Sequence, residues 1–401
     1  PGRPGPMTRQ SRLEVDLAAI AQNATVLAGL AGRAGLCAVV KANGYGHGAV
    51  PVARAAVAGG AVMLGVATVE EGIELRTAGI SAPILVLGPQ PADSIRDAVA
   101  YRLELMVTSP SEMEAVAAAH GGAASATRVH LMVDTGMRRV GVEPEDLVDL
   151  HARALTLDGV DPVAVATHFA CADAPDDPTT DRQLVRFRAA LAALDAVSAG
   201  PHLIHAANSA GAITRPDARF DLVRCGISLY GLEPSPQLEH HDAVRRLRPA
   251  LRMVSAVSFV KRVPADQGVN YGHRFVTGRP STLATVPVGY GDGVPRNLGL
   301  AGGEALVGGF RRPIVGVVTM DQLVLDCTDG PAVEVGDEVV FLGSQPRRGE
   351  VGRAESHGGD AAVGPGEWAR ILDTINYEIV TRLGARLPRH HLGTFEDAAL
   401  A

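Results

Sequence analysis

Leu36-Cys-Ala-Val-Val-Lys-Ala-Asn-Gly-Tyr-Gly-His-Gly48 joins an apolar run to a glycine-rich loop through one lysine. Leu36–Val40 reads as a buried strand that stops at Lys41. Asn43, Gly44, Gly46 and Gly48 then supply a turn whose backbone can approach a ligand closely. The chain has 37 basic residues, yet only Lys41 and Lys261 are lysines. Arginine cannot form a Schiff base, and a desolvated lysine can. A lysine snorkelling from a strand end is the plain structural alternative. The attached loop, with Tyr45 and His47, favours a lysine that holds a cofactor covalently.

Working outward, apolar runs recur at Ala61–Ala67, Ile84–Leu87, Leu103–Val107, Val129–Val133, Val163–Thr167, Leu203–Ala207 and Leu222–Cys225. Alanine- and leucine-rich segments long enough for a helix separate them. Eight such units in roughly 225 residues predict an α/β fold with an N-terminal TIM-type (β/α)8 barrel over residues 12–248. Lys41, Arg139, His168, Asn208, Ser209 and Arg224 cluster just after the runs, where barrel strand ends converge on one face. From Pro249 the texture becomes β-rich, with Gly and Pro punctuation, which predicts a mostly β domain over 249–390. The short strand near 12–16 is free to pack with that second domain. Residues 344–366 read as a flexible loop, followed by a helix around Glu367–Leu383.

With 401 residues, 46% hydrophobic and 20% charged residues and a net charge of −7, the chain reads as a soluble two-domain protein. Nothing in that balance favours nucleic acid or a membrane. Cys37, Cys171, Cys225 and Cys327 show no metal spacing and read as buried free thiols of a cytoplasmic protein. No metal is expected. The first six residues lack an apolar signal region and are set aside, with Met7 read as the start.

Of the six tyrosines, Tyr45, Tyr271 and Tyr290 are flanked by glycine and polar groups, a context that suits a site better than a core. Asn208-Ser209-Ala-Gly211 and Arg224-Cys-Gly-Ile227 offer free backbone amides where barrels cradle phosphate. Ordinary strand-to-helix turns capped by Ser209 are the alternative. His168 and His205 fit either a site or a satisfied core, and the remaining histidines read as surface.

The stretch Val39-Val-Lys-Ala-Asn-Gly-Tyr-Gly-His-Gly48 resembles the cofactor-lysine signature of alanine racemases, pyridoxal-phosphate enzymes with a barrel and a β domain. The resemblance continues through Asp134-Thr-Gly-Met-Arg-Arg139, Thr167-His-Phe-Ala170, Asn208-Ser209, Arg224-Cys-Gly-Ile-Ser-Leu-Tyr-Gly231, Asn270-Tyr-Gly272, Gly289-Tyr290, Thr319-Met-Asp-Gln322 and Thr374-Ile-Asn-Tyr377. It implies a homodimer in which Lys41 serves one face of the α-carbon, that of D-alanine. Tyr271 of the partner subunit serves the other. By the same resemblance Lys41, Tyr45, Leu87, His168, Asn208, Ser209, Arg224, Gly226, Ile227 and Tyr377 hold pyridoxal 5'-phosphate, with His205 supporting Arg224. Arg139 and Met320 take the substrate carboxylate, while Tyr290 and Asp321 narrow the entrance. A racemase of broader specificity, acting on serine or other amino acids, and a non-catalytic pyridoxal-phosphate-binding protein are the alternatives. The sequence departs from the family pattern at Met132, where a lysine, often carbamylated, is usual. It departs also at Arg138, Asn270, Thr319 and Gly291.

Overall fold

The apolar runs become strands because their neighbours on both faces are apolar, and the stretches between them carry helix signals. Thr68 and Glu71 form a reciprocal capping box at the start of helix Val69–Thr77, while Ser109 caps Pro110–His120. The computed structural model describes residues 10–122, 125–198, 202–347 and 361–394. After a first strand, β1 (Arg12–Asp16), come β2 (Gly35–Val39), β3 (Met63–Val66), β4 (Ile84–Val86), β5 (Glu104–Val107), β6 (Thr127–Met132), β7 (Val160–Ala166), β8 (Leu203–His205) and β9 (Leu222–Cys225). Strands β2 to β9 form a closed parallel barrel, sealed where β2 pairs with β9, Gly35 opposite Leu222. The expected (β/α)8 barrel is the fold.

The barrel interior is packed, not open. Cys37, Met63, Leu85, Met106, Met132, Ala166 and Leu222 form a buried apolar cluster drawn from seven of the eight strands, with Leu203 of β8 packed against it. Three methionines suit such an uneven space, because an unbranched thioether fills irregular gaps. Residues two apart on a strand share a face, so Glu104 and His130 belong to the same interior as Met106 and Met132.

By contact density the chain divides into two units. Leu17–Arg248 forms one, and Arg12–Asp16 groups with Pro249–Leu392 in the other. In that second unit a ten-stranded sheet runs Phe259–Val263, Ser281–Val286, Leu323–Asp326, Phe310–Val315, Glu304–Val307, Glu338–Gln345, Leu251–Ala256, β1, Arg389–Leu392, with Ala361–Val363 pairing beside Glu338–Gln345. Its neighbours are antiparallel except β1 with Arg389–Leu392. Two expectations need correction. Of the stretch 344–366, residues 348–360 lie outside the described residues, but its flanks are not loop. Ser344 and Gln345 pair with Ala362 and Ala361, because strand backbone groups left buried need partners. The helix expected over Glu367–Leu383 is two, Pro365–Ile371 and Asn376–Thr381. It breaks at Asp373, whose φ is 53°, and at Ile375, which is extended.

In the barrel unit one buried polar side chain ties distant segments. Asn23 Nδ2 donates to the carbonyls of Leu229 (3.1 Å) and Arg248 (2.8 Å), and its Oδ1 accepts from Arg248 N (2.8 Å). Asn23→Ala strands three backbone groups at once. It is expected to cost about 2–4 kcal/mol, a little more than one unsatisfied buried group. A fall in the urea midpoint of the barrel's unfolding transition checks this, and an unchanged midpoint contradicts it.

Candidate active site

Strand β2 ends in a backbone turn of unusual hand. Ala42, Asn43, Gly44, Tyr45 and Gly46 all have φ between 49° and 83°. Left-handed backbone costs residues with a side chain about 1–2 kcal/mol each, so Ala42 and Tyr45 stay there only because the surroundings over-determine them. The bonds that do so are specific. Gly44 N and Gly46 N donate to the carbonyls of Val40 (2.8 Å) and Ala42 (3.0 Å). Asn43 Oδ1 accepts from Ala49 N (3.0 Å), and Ala42 N donates to Glu71 Oε1 (2.7 Å). The Glu71 carboxylate also takes Ala67 N at 2.7 Å, so it joins the caps of two neighbouring loops. This turn presents Lys41, half-buried. Burial, then the nearby Arg139 guanidinium, lowers the pKa of its amine from the ordinary lysine value, and Glu71 only partly opposes them.

Beyond Lys41 the turn buries Tyr45. Its ring stacks on Tyr230 at 4.8 Å, and Tyr230 Oη donates to Val39 O (3.0 Å). A side chain on Gly226 would begin 2.4 Å from Tyr45 Oη, so only glycine lets the two chains meet. Gly226 N donates to Ser209 Oγ (3.0 Å), and Ile227 is buried beside them. The helix Ser209–Thr214 is capped by Asn208, whose Oδ1 accepts from Gly211 N (2.9 Å). The alternative of a Ser209 cap therefore falls, and Ser209 reaches across to β9 instead. Leu87, half-buried after β4, packs against the interior cluster.

Arg224 lies at the centre, buried. Its Nη1 bonds His205 Nδ1 (2.6 Å), and its Nη2 reaches Thr167 O (2.7 Å), Ala206 O (3.1 Å) and His168 Nδ1 (3.1 Å). Among the described residues its Nε has no acceptor. Burial lowers its pKa to about 10, so it stays charged near neutrality. A guanidinium only donates, hence His168 Nδ1 must be bare and its proton sits on Nε2. Burial, then the charges of Arg224, Arg139 and Lys41, hold the His168 pKa down to about 3. The imidazole is neutral and aims an N–H outward from the group.

His205 continues inward to His130 (2.8 Å) and His130 to Glu104 (2.8 Å). Neither Glu104 nor His130 was expected, and the surface reading of the other histidines is wrong for His47, His130 and His151, all buried. A usable signal existed: Glu104 and His130 are polar residues inside apolar strands, which a packed barrel tolerates only when they are paired. Glu71 was equally legible as the fourth residue of a Thr-x-x-Glu box. Of the cysteines, Cys37 and Cys225 are buried with thiol pKa values pushed up to about 12, whereas Cys171 is only half-buried.

Arg139 stands on a turn shaped by Asp134, whose Oδ1 accepts from Gly136 N (2.8 Å) and Arg138 N (3.0 Å). Arg138 pairs with Glu143, but the Arg139 side chain has no hydrogen bond or ion pair among the described residues. Met132, at the end of β6, belongs to the buried apolar cluster and fills space there. Lys41, Arg139, His168 and Arg224 are thus gathered at one end of the barrel, within electrostatic reach of one another.

The remaining predicted residues belong to the second unit. Tyr271 is 73% exposed on the short turn Tyr271–His273, set there by Asn270, whose backbone is strained (φ 58°, ψ −169°) and whose Nδ2 donates to Val317 O (3.0 Å). Tyr290 and Met320 are brought together: Tyr290 N donates to Thr319 O and Gly291 N to Met320 O, both at 2.9 Å. Arg386 ties Asp321 (2.8 Å) to the same turn through Asp292 (3.4 Å). Tyr377 is half-buried on the separate helix Asn376–Thr381.

Residues 15–234 match the family described as "Alanine racemase, N-terminal domain", and residues 250–391 match "Alanine racemase, C-terminal domain". The chain is 43% identical to an alanine racemase of Frankia casuarinae over 98% of each chain. It superposes on the crystal structure of alanine racemase from D-cycloserine-producing Streptomyces lavendulae with a TM-score of 0.86 and 40% identity, covering 98% of this chain and 99% of that one. The alanine racemase from Bacillus anthracis with bound L-Ala-P gives a TM-score of 0.87 at 35% identity, over 98% and 97%. By the matches of both its units, the chain belongs to the alanine racemase family.

Proposed function

We propose that the chain is a pyridoxal-phosphate-dependent racemase that interconverts L- and D-alanine, working as a homodimer. The observation that carries this reading is the Arg224 Nε–H, which has no acceptor among the described residues, at the same barrel end as a lysine amine of lowered pKa. The close meeting of Tyr45 Oη, Gly226 and Ser209 suits a phosphate, and Arg224 Nε suits a ring nitrogen. The barrel residues present therefore fit the cofactor, with Leu87, His168, Asn208 and Ile227 completing its surroundings. Bound there, pyridoxal phosphate supplies an electron sink that acidifies the α-hydrogen of an attached amino acid.

The chain's own groups then divide the work. Lys41, more readily a free amine than an ordinary lysine, takes or returns the α-proton on one face. Tyr271 of the partner subunit does so on the other, which is why its phenol is exposed within its own chain. A free phenol titrates near ~10, so a tyrosine base needs a donor that favours its anion. The neutral His168, with its proton on Nε2, is such a donor. Arg224 presents an N–H to the ring and keeps its proton, since a guanidinium of pKa about 10 is a weak acid. Arg139, the unpaired cation, binds the substrate carboxylate together with the backbone N–H of the partner's Met320. Tyr290 and Asp321 narrow the entrance to small side chains, and His205 steadies Arg224.

Chiral chromatography of products from L-alanine and L-serine, with and without added pyridoxal phosphate, tests the reading. D-alanine is expected only from the loaded protein, and serine turnover of similar efficiency would favour the broader-specificity racemase. Borohydride reduction and digestion are expected to place the pyridoxyl group on Lys41. Finding it on the exposed Lys261 refutes the assignment. Tyr271→Phe is expected to slow solvent exchange of the L-alanine α-hydrogen at least ~100-fold, the usual scale of a positioned base, and that of D-alanine far less. Equal small losses for both isomers sink the two-base reading. Because Met132 fills space and offers no anion, activity is expected to be indifferent to bicarbonate. Met132→Lys is expected to acquire a bicarbonate-dependent fall in KM of about 10-fold, the scale of one charge-assisted hydrogen bond. A bicarbonate requirement in the unaltered protein contradicts this.

A further inference from the structure

Arg224 is a buried cation, yet among the described residues no carboxylate touches it. Its side-chain partners are two imidazoles and its other acceptors are carbonyls. The nearest anion along its hydrogen bonds is Glu104, two imidazoles away. Glu104, His130, His205 and Arg224 are each less than a tenth exposed, at 6%, 0%, 0% and 5%.

The donors and acceptors in this chain leave one arrangement. Arg224 Nη1 must donate to His205 Nδ1 at 2.6 Å, so the His205 proton is on Nε2. His205 Nε2 lies 2.8 Å from His130 Nδ1, which must then accept. The His130 proton is consequently on Nε2, 2.8 Å from Glu104 Oε2. The other oxygen, Oε1, faces Arg128 Nε at 3.2 Å, a half-exposed side chain with water as an alternative partner. All three internal bonds point the same way, from guanidinium to carboxylate. Reversing any link sets donor against donor at Arg224, which cannot accept. Protonating either imidazole does the same, and burial opposes it.

We propose that Glu104 and His130 are positioning residues for Arg224. Arg224 sets the direction of the chain; the carboxylate accepts its last proton and balances the arginine's charge, and so holds the Nε–H where the cofactor's ring nitrogen would sit. The chemistry needs this because a guanidinium free to rotate can turn any of its five N–H groups toward that nitrogen. This inference rests on the reading of the site as a pyridoxal-phosphate racemase.

Two variants test it in the full-length loaded protein. His130→Phe removes the acceptor of His205 Nε2–H. Glu104→Gln keeps the shape but loses the charge, and an amide oxygen and nitrogen cannot accept from both His130 and Arg128. Two readouts are taken: the Arg224 Nε–H resonance and its exchange with solvent by 15N-arginine NMR, and kcat with KM for alanine. The unaltered protein is expected to show one sharp, slowly exchanging Nε–H. Both variants are expected to broaden that resonance and to speed its exchange. Their kcat is expected to fall about 10- to 100-fold with little change in KM, the rate equivalent of one buried charge-assisted hydrogen bond. If either readout stays put in a folded variant, the chain is packing alone and the proposal is overturned. Should His130→Phe fail to fold, Glu104→Gln carries the test. Absence of racemase activity in the unaltered protein defeats the functional reading instead, and leaves the ordering of Arg224, read by NMR, standing or falling separately.

Discussion

A guanidinium can donate and never accept, and that asymmetry orders the barrel's interior. With Arg224 buried on β9, each neighbour must offer a lone pair. The carbonyls of Thr167 and Ala206 do so by backbone geometry, and the two histidines by leaving Nδ1 bare. Once those nitrogens are bare, the protons on His168 and His205 have one place each to go. The outward proton leaves His168 able to donate away from Arg224. The inward one commits His130 and Glu104. A lysine ammonium would also only donate, but as a compact, rotatable group it would not hold these four acceptors in the fixed geometry of a planar fork.

A second constraint is the strain stored beside Lys41. Five consecutive residues in left-handed backbone are tolerated because the capping carboxylate of Glu71 grips Ala42 N as well as its own helix start. The same carboxylate raises the pKa of Lys41 while burial and Arg139 lower it. The group that positions the amine thus also moderates its acidity. Strain, position and proton affinity at Lys41 are coupled through one side chain, so a change at Glu71 moves all three together.

Much of this was legible in the sequence, and what was not has physical causes. The barrel strands stand out because a strand buried on both faces must be continuously apolar, and the helices between them carry caps. Lys41 stands out because lysine is so rare in this chain. Glu104 and His130 carry a weaker signal: a polar residue inside an apolar run marks a paired position, but the sequence does not say which residue on the neighbouring strand is its partner. The Asn208 cap was missed because adjacent Asn and Ser have equal standing as caps, and only the approach of Gly226 decides that Ser209 is otherwise engaged. The break at Asp373 follows from a left-handed residue that composition does not announce.

Met132 shows how such choices interact. It sits in the apolar cluster with Met63 and Met106, two residues along β6 from the chain of imidazoles. An anion there would lie beside a low-polarity layer and carry a desolvation penalty unless Arg139 offset it fully. It would also be a second negative charge near Arg224, competing with Glu104 for the role of counter-ion. A thioether avoids both. Among the described residues, buried Arg224 and buried Glu104 are then joined by neutral links, and the Arg139 side chain is left without a partner. The cost falls on Arg139, whose backbone is shaped by the Asp134 turn but whose guanidinium no described residue orients. On the proposed reading, the grip on substrate is therefore made largely at the moment of binding, while the proton order along Arg224, His205, His130 and Glu104 is built in beforehand.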